Sequence, residues 1–200
     1  NFDIDNIYAE DYEQIFQANS NVYGLDSLNV GNISINIGSV NLNMLGTEVQ
    51  NRSIFANASI PRYISAHINC ENVVAKGVTS SHGLIYDSPR AGVPGPELSR
   101  FNYHLGNVRY SGATAAVVLQ PQDTLIDYQV NVLIDNILIT PNASGVYQPI
   151  LTLTNTTQRP HVRSRANINI KNGVSRANMI SDSNYDTSYV TVISGNLYST

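Results

Sequence analysis

This chain has little of what usually identifies an enzyme or a membrane protein. Its 200 residues include no tryptophan, one cysteine and two lysines, and only 13 % of them are charged, against about 25 % in an ordinary soluble domain. The single cysteine, Cys70, cannot form an intrachain disulfide, and its place among alternating apolar residues predicts a buried side chain. No apolar run reaches the roughly 18 residues of a transmembrane helix, so the sequence predicts no membrane span.

The same composition indicates where the protein works. Asparagine occurs 25 times and tyrosine 12 times, so amides and phenols take the place of charge on the surface. Secreted, cell-surface and capsid proteins often have such surfaces, whereas cytosolic enzymes seldom do. The chain starts at Asn1 without a methionine or an apolar leader. Either a signal peptide has been removed or the chain is an excised fragment; we favour removal and expect an extracellular, cell-surface protein in its mature form.

The segment from Leu28 to Met44 has an apolar residue at nearly every second position, with asparagine, serine or glycine between. This alternation predicts a long β-strand with one apolar face. The apolar set changes parity at Gly31 and Gly38, where a bulge or tight bend would keep the same face inward. Because no charged residue interrupts the run, the strand must be covered, paired or shared with another chain.

From about residue 28 the pattern predicts many short strands and an all-β fold. We expect a single β-sandwich with jelly-roll or Greek-key connections over residues 25–200, including a long loop at residues 77–100. The pair Asn172-Gly173 predicts a two-residue hairpin. Internal repeats of the solenoid type are not evident from the sequence.

Residues 1–24 form the second predicted unit, an extended N-terminal arm followed by one short helix. Phe2, Asp3, Ile4 and Asp5 alternate like an extended segment, and they are the candidate donor residues for strand exchange. Apolar side chains then recur with helical spacing over residues 7–18, which predicts the helix.

A search for chemistry finds none. The four histidines are scattered, and none lies in a zinc-binding pattern. The segment Ser80-Ser81-His82-Gly83 lacks the nucleophile elbow of a hydrolase. Asp3-x-Asp5 begins like a calcium loop but has no third acid and no glycine after it. We predict no catalytic residue, no metal and no cofactor, and hence no enzyme.

Five asparagines lie in Asn-x-Ser/Thr sequons and are glycosylation candidates in an extracellular protein. They are Asn32, Asn51, Asn57, Asn142 and Asn155. The turn-like surroundings of Asn142 favour a surface glycan, whereas Asn32 lies inside a predicted strand.

A basic stripe follows near residue 160. It consists of Arg159, His161, Arg163 and Arg165, with Arg176 on the adjacent hairpin arm. The stripe has three interpretations: an exposed edge protected by charge, a nucleic-acid site, or a subunit contact that attracts the acidic first thirteen residues of a neighbour. The net charge of −4 and the lack of interleaved aromatic residues argue against nucleic acid. Repeated head to tail, the subunit contact would produce an open filament.

In layout and composition the chain resembles the donor-strand surface filaments of archaea called threads, and more distantly other β-sandwich pilins. The features that carry the resemblance are the start at Asn1, the arm Phe2-Asp-Ile-Asp-Asn6, the alternating Leu28–Met44 and the Asn- and Tyr-rich β body. The resemblance implies a secreted, N-glycosylated structural subunit that polymerises with copies of itself by N-terminal strand exchange. Two alternatives remain. One is a viral capsid or spike jelly roll, and the other is a carbohydrate-binding adhesin module that contacts surface glycans or other cells.

Overall fold

The computed structural model describes residues 1–10, 14–18, 31–43, 53–57, 64–78, 82–87, 99–119, 128–153, 165–175, 180–182 and 190–199. Within these ranges the regular structure is all strand. The strands are β1 (Phe2–Glu10), β2 (Gln14–Ala18), β3 (Gly31–Asn43), β4 (Ser53–Asn57), β5 (Ile64–Val78), β6 (Ile85–Asp87), β7 (Ser99–Gly112), β8 (Val117–Leu119), β9 (Tyr128–Ile139), β10 (Leu151–Leu153), β11 (Arg165–Ser175), β12 (Ile180–Asp182) and β13 (Val190–Ser199).

The strands form two parallel sheets that the chain visits in turn. Odd-numbered strands build a seven-stranded larger sheet in the order β1-β3-β5-β7-β9-β11-β13, and even-numbered strands build a six-stranded smaller sheet in the order β2-β4-β6-β8-β10-β12. Every ladder between neighbours is parallel. Each coil of the chain therefore adds one strand to each sheet, which is the architecture of a parallel β-solenoid.

One hydrophobic core lies between the two sheets. Side chains at equivalent register positions stack along it, for example Ile35, Ile68 and Tyr103 on consecutive strands of the larger sheet. From the smaller sheet, Phe55 places its ring 5.9 Å from that of Tyr103, and both rings are buried. Alternation of apolar and polar residues thus gives each long strand one buried and one exposed face.

The predicted β-sandwich is wrong. Jelly-roll and Greek-key sandwiches need antiparallel neighbours, whereas all the ladders here are parallel. Alternation identifies a strand and its inward face, but it is the same for parallel and antiparallel pairing. For that reason the sequence pattern could not distinguish the two folds.

The predicted N-terminal helix and extended arm are also wrong. Residues 2–10 form β1, the first strand of the larger sheet, and residues 14–18 form β2; residues 11–13 lie outside the described part. Ile4, Ile7 and Ala9 pack against the core, and Tyr8 faces outward. Of the side chains whose spacing predicted the helix, Tyr8 lies in β1, and Ile15 and Phe16 lie in β2, a separate strand.

Asn172-Gly173 is not a hairpin turn, because β11 runs through it without interruption. Gly173 faces the core, where an added Cβ would lie 2.8 Å from Ile150 Cδ1 and 2.9 Å from Leu197 Cδ2. The packing of the core therefore leaves no room for a side chain at this position, which explains a glycine in the interior of a strand. The predicted loop at residues 77–100 contains β6; its residues 79–81 and 88–98 lie outside the described part.

The parity change at Gly38 is confirmed, since Ile37 and Val40 are both buried. The proposed change at Gly31 falls where β3 begins, beside residues outside the described ranges. The strand Gly31–Asn43 is paired on both sides, by β1 and β5. The uncharged run is therefore covered within its own chain.

Candidate self-association site

The strands of the larger sheet follow one consensus: apolar, any residue, apolar, any residue, asparagine, apolar. Three strands depart from it at one position each, where Ser39, Gly173 and Ser194 stand. The fifth position is occupied by Asn6, Ser39, Asn72, Asn107, Asn136, Asn172 and Asn196, which the register aligns. Successive members lie 33, 33, 35, 29, 36 and 24 residues apart. The solenoid repeat was missed in the sequence because its period varies this much.

These residues form an amide ladder across the exposed face of the larger sheet. The side-chain bonds run from Asn107 Nδ2 to Asn72 Oδ1 (3.1 Å), Asn136 to Asn107 (3.0 Å), Asn172 to Asn136 (2.9 Å) and Asn196 to Asn172 (3.2 Å). At the other end the Ser39 hydroxyl donates to Asn6 Oδ1. Stacked identical strands favour such ladders because each amide can both donate and accept.

Shorter ladders run parallel to this one and share its direction. Asn131 donates to Asn102 and Asn167 to Asn131, both at 2.8 Å. Asn36 donates to Asp3 at 2.7 Å, and Asn69 to Asn36 at 2.9 Å. In each bond the later strand donates to the earlier one. The ladders therefore have a polarity from β1 to β13.

Directly before the amide ladder lies a bend column, in which the chain changes the parity of its inward face. The column contains Asp5, Gly38, Glu71, Gly106, Asp135, Lys171 and Gly195. A Cβ on Gly38 would lie 2.6 Å from the carbonyl oxygen of Asp5, and one on Gly106 would lie 2.5 Å from that of Glu71. Glycine is required at these levels because the backbone of the preceding strand comes so close.

The bend column also contains an ion-pair cluster. Asp135 Oδ1 lies 2.7 Å from Lys171 Nζ, and Asp135 Oδ2 lies 2.9 Å from His104 Nε2. The hydrogen bond from Lys171, and then that from His104, hold the pKa of Asp135 below its ordinary value. Because the three side chains are 29–55 % exposed, the cluster contributes little to stability. The cluster links the side chains of three neighbouring strands, β7, β9 and β11.

An open trough of about 540 Å³ lies on the outer face of the larger sheet. One wall is the amide ladder from Asn72 to Asn172. The other is an outward-facing row that consists of Val74, Arg109, Leu138, Val174 and Tyr198. Between the walls the side chains point into the core, so the backbone forms the floor.

Among the described residues β1 and β13 are the two edges of the larger sheet, and each has a strand neighbour on one side. At the β1 edge, Phe2 occupies an inward register position opposite Ile35, yet it is 61 % exposed. Solenoids usually protect such ends with polar caps. Both edges carry the same sequence pattern as the strands between them.

The four donor-arm candidates, Phe2 to Asp5, lie in β1 and pair with β3 of the same chain. Exchange of this strand with a neighbour stays a prediction. Tyr8, farther along β1, donates a hydrogen bond to Glu10 at 2.5 Å, and this carboxylate raises the pKa of the Tyr8 hydroxyl.

The structure describes three of the five sequon asparagines. Asn32 is exposed near the start of β3, and Asn57 ends β4. Asn142 lies in a turn, where its Oδ1 accepts backbone hydrogen bonds from Ser144 and Val146. Asn51 and Asn155 lie outside the described residues. Glycosylation at all five stays a prediction.

Of the basic stripe, only Arg165 lies in the described part, where it is exposed at the start of β11. Arg159, His161, Arg163 and Arg176 fall outside it. Farther along β11, Lys171 pairs with Asp135 in its own chain.

Comparison with protein-family models, with curated proteins and with solved structures finds no match to this chain. Across the described ranges no cluster of three or more His, Cys, Asp or Glu side chains is suited to hold a metal ion. The same ranges contain no helix with the length and apolarity to span a membrane.

Proposed function

We propose that this protein is a structural subunit that polymerises head to tail through the edges of its larger sheet. The observation that carries the proposal is the exposed apolar end of the core at β1, where Phe2 occupies an inward position and no strand of the described part covers it. A second copy can supply that strand by its own β13. Because the two edges differ, the contact is heterologous, and repetition produces an open filament.

Edge pairing needs no exchange of chain segments. β1 stays paired with β3 of its own subunit and offers its free backbone groups to the next copy, as in other forms of β-augmentation. This mode replaces the donor-strand mechanism as our proposal and retains the head-to-tail homopolymer. A capsid jelly roll requires antiparallel sheets and is not proposed.

The charge distribution supports one pairing over the others. β1 carries Asp3, Asp5 and Glu10, whereas β13 carries no charged residue. Two β1 edges would bring acids together, and like charges opposite each other on neighbouring strands are destabilising. Pairing of β1 with β13 avoids that repulsion.

The test uses Ser194→Lys in the 200-residue chain, with Thr191→Lys as the matched control. Ser194 is opposite the buried Ile170 but is itself exposed at the edge, and Thr191 faces outward on the same strand. A lysine at position 194 is hydrated in the monomer but would be buried in the polymer. An inward-pointing charge on an edge strand therefore opposes edge pairing.

We expect electron microscopy and sedimentation to show filaments of the unmodified chain and of Thr191→Lys, and folded monomers of Ser194→Lys. Circular dichroism checks folding. An unmodified chain that stays monomeric at high concentration would refute the proposal, as would filaments of Ser194→Lys that equal those of the control.

The outer trough favours carbohydrate binding as a second candidate function. A ladder amide that donates one hydrogen bond and accepts one retains a further N–H and a further lone pair. Leu138 and Tyr198, 40 % and 58 % exposed, add apolar surface for the sugar rings. Arg109 is the only charged residue that the structure describes in the lining, which favours a neutral linear glycan.

Affinity electrophoresis through neutral soluble polysaccharides tests this candidate. Leu138→Asp should abolish retardation, and Leu133→Asp, on the same strand but outside the trough, should not. Equal mobility of all three chains in every gel would exclude trough-mediated glycan binding.

A further inference from the structure

We infer the register of the subunit joint: β13 of one copy pairs parallel with β1 of the next so that Asn196 lies beside Asn6. This inference rests on the proposed function and adds to it the atoms that meet at the joint. In this register the amide ladder and the bend column continue without interruption from one subunit to the next.

The bend column determines this register. In a uniformly alternating strand, a slip by two residues leaves every side chain on its own face. Here the inward set changes parity once, between Ser194 and Leu197 in β13 and between Ile4 and Ile7 in β1. Any slip places at least one inward residue on the wrong face. Only the alignment of Asn196 with Asn6 matches both halves of the strand.

The polarity of the amide ladder agrees with the joint. From Asn72 to Asn196 the Nδ2 of each later asparagine donates to the Oδ1 of the earlier one, and Asn72 itself donates back to the backbone oxygen of Gly38. Asn196 ends the ladder by donating to Asn172, and Asn6 begins it by accepting from Ser39. At the joint the next copy's Asn6 is the later residue, so its Nδ2 can donate to Oδ1 of Asn196 with the direction unchanged.

The bend column supplies a second match. Inside the subunit Glu71 follows Gly38, and Asp135 follows Gly106, so an acid follows a glycine twice. The register of the joint places Asp5 of the next copy after Gly195. An acid thus follows a glycine a third time, with Gly195 itself close to the backbone of Lys171 on the preceding strand, as Gly38 is to Asp5.

The outward row contributes a cross-strand aromatic pair. Tyr8 is 70 % exposed and Tyr198 is exposed at the opposite edge. The joint places them as direct neighbours, and aromatic pairs on adjacent strands stabilise a sheet. On the inward face, Val192 meets Phe2 and Leu197 meets Ile7, which covers the apolar end of the core.

The larger sheet forms this joint. Among the described residues the smaller sheet has six strands against seven in the larger, so β12 and the next copy's β2 would stand two strand spacings apart, about 10 Å. Backbone hydrogen bonds between copies therefore form at β13 and β1.

Paired cysteines test the register. Neighbouring Cα atoms in a sheet lie about 4.8 Å apart, within the range that a disulfide spans, whereas a shift by two residues takes them beyond about 7 Å. The in-register variant is Tyr8→Cys with Tyr198→Cys, and the control is Tyr8→Cys with Asn196→Cys. The native Cys70 is buried and does not compete.

After mild oxidation of assembled filaments, we expect a ladder of covalent oligomers on a non-reducing gel for the in-register variant and loss of that ladder for the control. Filaments that cross-link only in the control, or in neither variant, would overturn the register and leave the proposed function intact. Absence of filaments in the unmodified chain would overturn the proposed function, and the register with it.

Discussion

The Nδ2 of Asn107 donates to the Oδ1 of Asn72 at 3.1 Å across 35 residues of sequence. Asn136 continues the contact on the next strand. The hydrogen bonds of this exposed asparagine thus connect neighbouring coils of the solenoid whose residues are far apart in the sequence.

Replacement of Asn107 by alanine should lower the free energy of unfolding by about 1–2 kcal/mol, because it removes one donated and one accepted side-chain bond. Urea unfolding measures the change. Asn41→Ala is the matched control, since Asn41 is exposed and its register partners are Tyr8 and Val74. Equal stability of the two variants would show that the ladder contributes nothing.

Replacement of Gly106 by alanine should cost about 1–3 kcal/mol, because the new methyl group would lie 2.5 Å from the backbone oxygen of Glu71 and the strands would have to separate. Gly145→Ala is the contrast. Gly145 has open space around its Cβ position and a φ of 77°, so its cost of about 1 kcal/mol comes from backbone conformation alone. Thermal unfolding compares the two, and a larger loss at Gly145 would contradict the close approach in the bend column.

Cys70 should resist thiol reagents in the folded protein. Burial raises the pKa of its thiol to about 11, and the reactive thiolate is scarce at pH 8. Labelling with iodoacetamide should therefore be slow in buffer and rapid in denaturant. A raised folded-state pKa also means that stability is lost as the pH rises from about 9 towards 11. Rapid labelling of the native chain would contradict the position of Cys70 in the core.

Stability should fall as the pH drops below about 6.5. His82 is buried against Tyr86, with ring centroids 3.6 Å apart, and burial lowers the pKa of His82 below its ordinary value. The unfolded chain then binds the proton more readily than the folded one, so acidification favours unfolding. Melting temperatures at pH 7.5 and 5.5 measure the effect. The variant His82→Phe should lose part of this pH dependence, whereas His67→Gln, at an exposed position, should retain it.

Local sequence determined which residues form β3 and which of them face inward. Ile35, Ile37, Val40 and Leu42 are buried as their alternation predicts, and Gly38 marks the parity change. These features depend on neighbours within a few residues, so one strand's sequence contains the necessary information.

Two other local sequence signals led to wrong predictions, and the parallel β-solenoid explains why. The apolar spacing over residues 7–18 fits a helix, yet its described residues lie in two strands; Asn172-Gly173 fits either a turn or a packed strand interior. In both segments the choice was made by contacts with strands 24–36 residues away. Those contacts override local preference because they bury the apolar face.

The sequence by itself thus determined that this is a β protein with amide-rich strands that carry few charges and have one inward apolar face. Only the tertiary structure decided that the strands are parallel, that their asparagines align into a ladder, and that the core ends at an exposed edge. Alternation has the same period in parallel and antiparallel sheets, and coils of unequal length conceal the repeat. The alignment exists only once the coils stack.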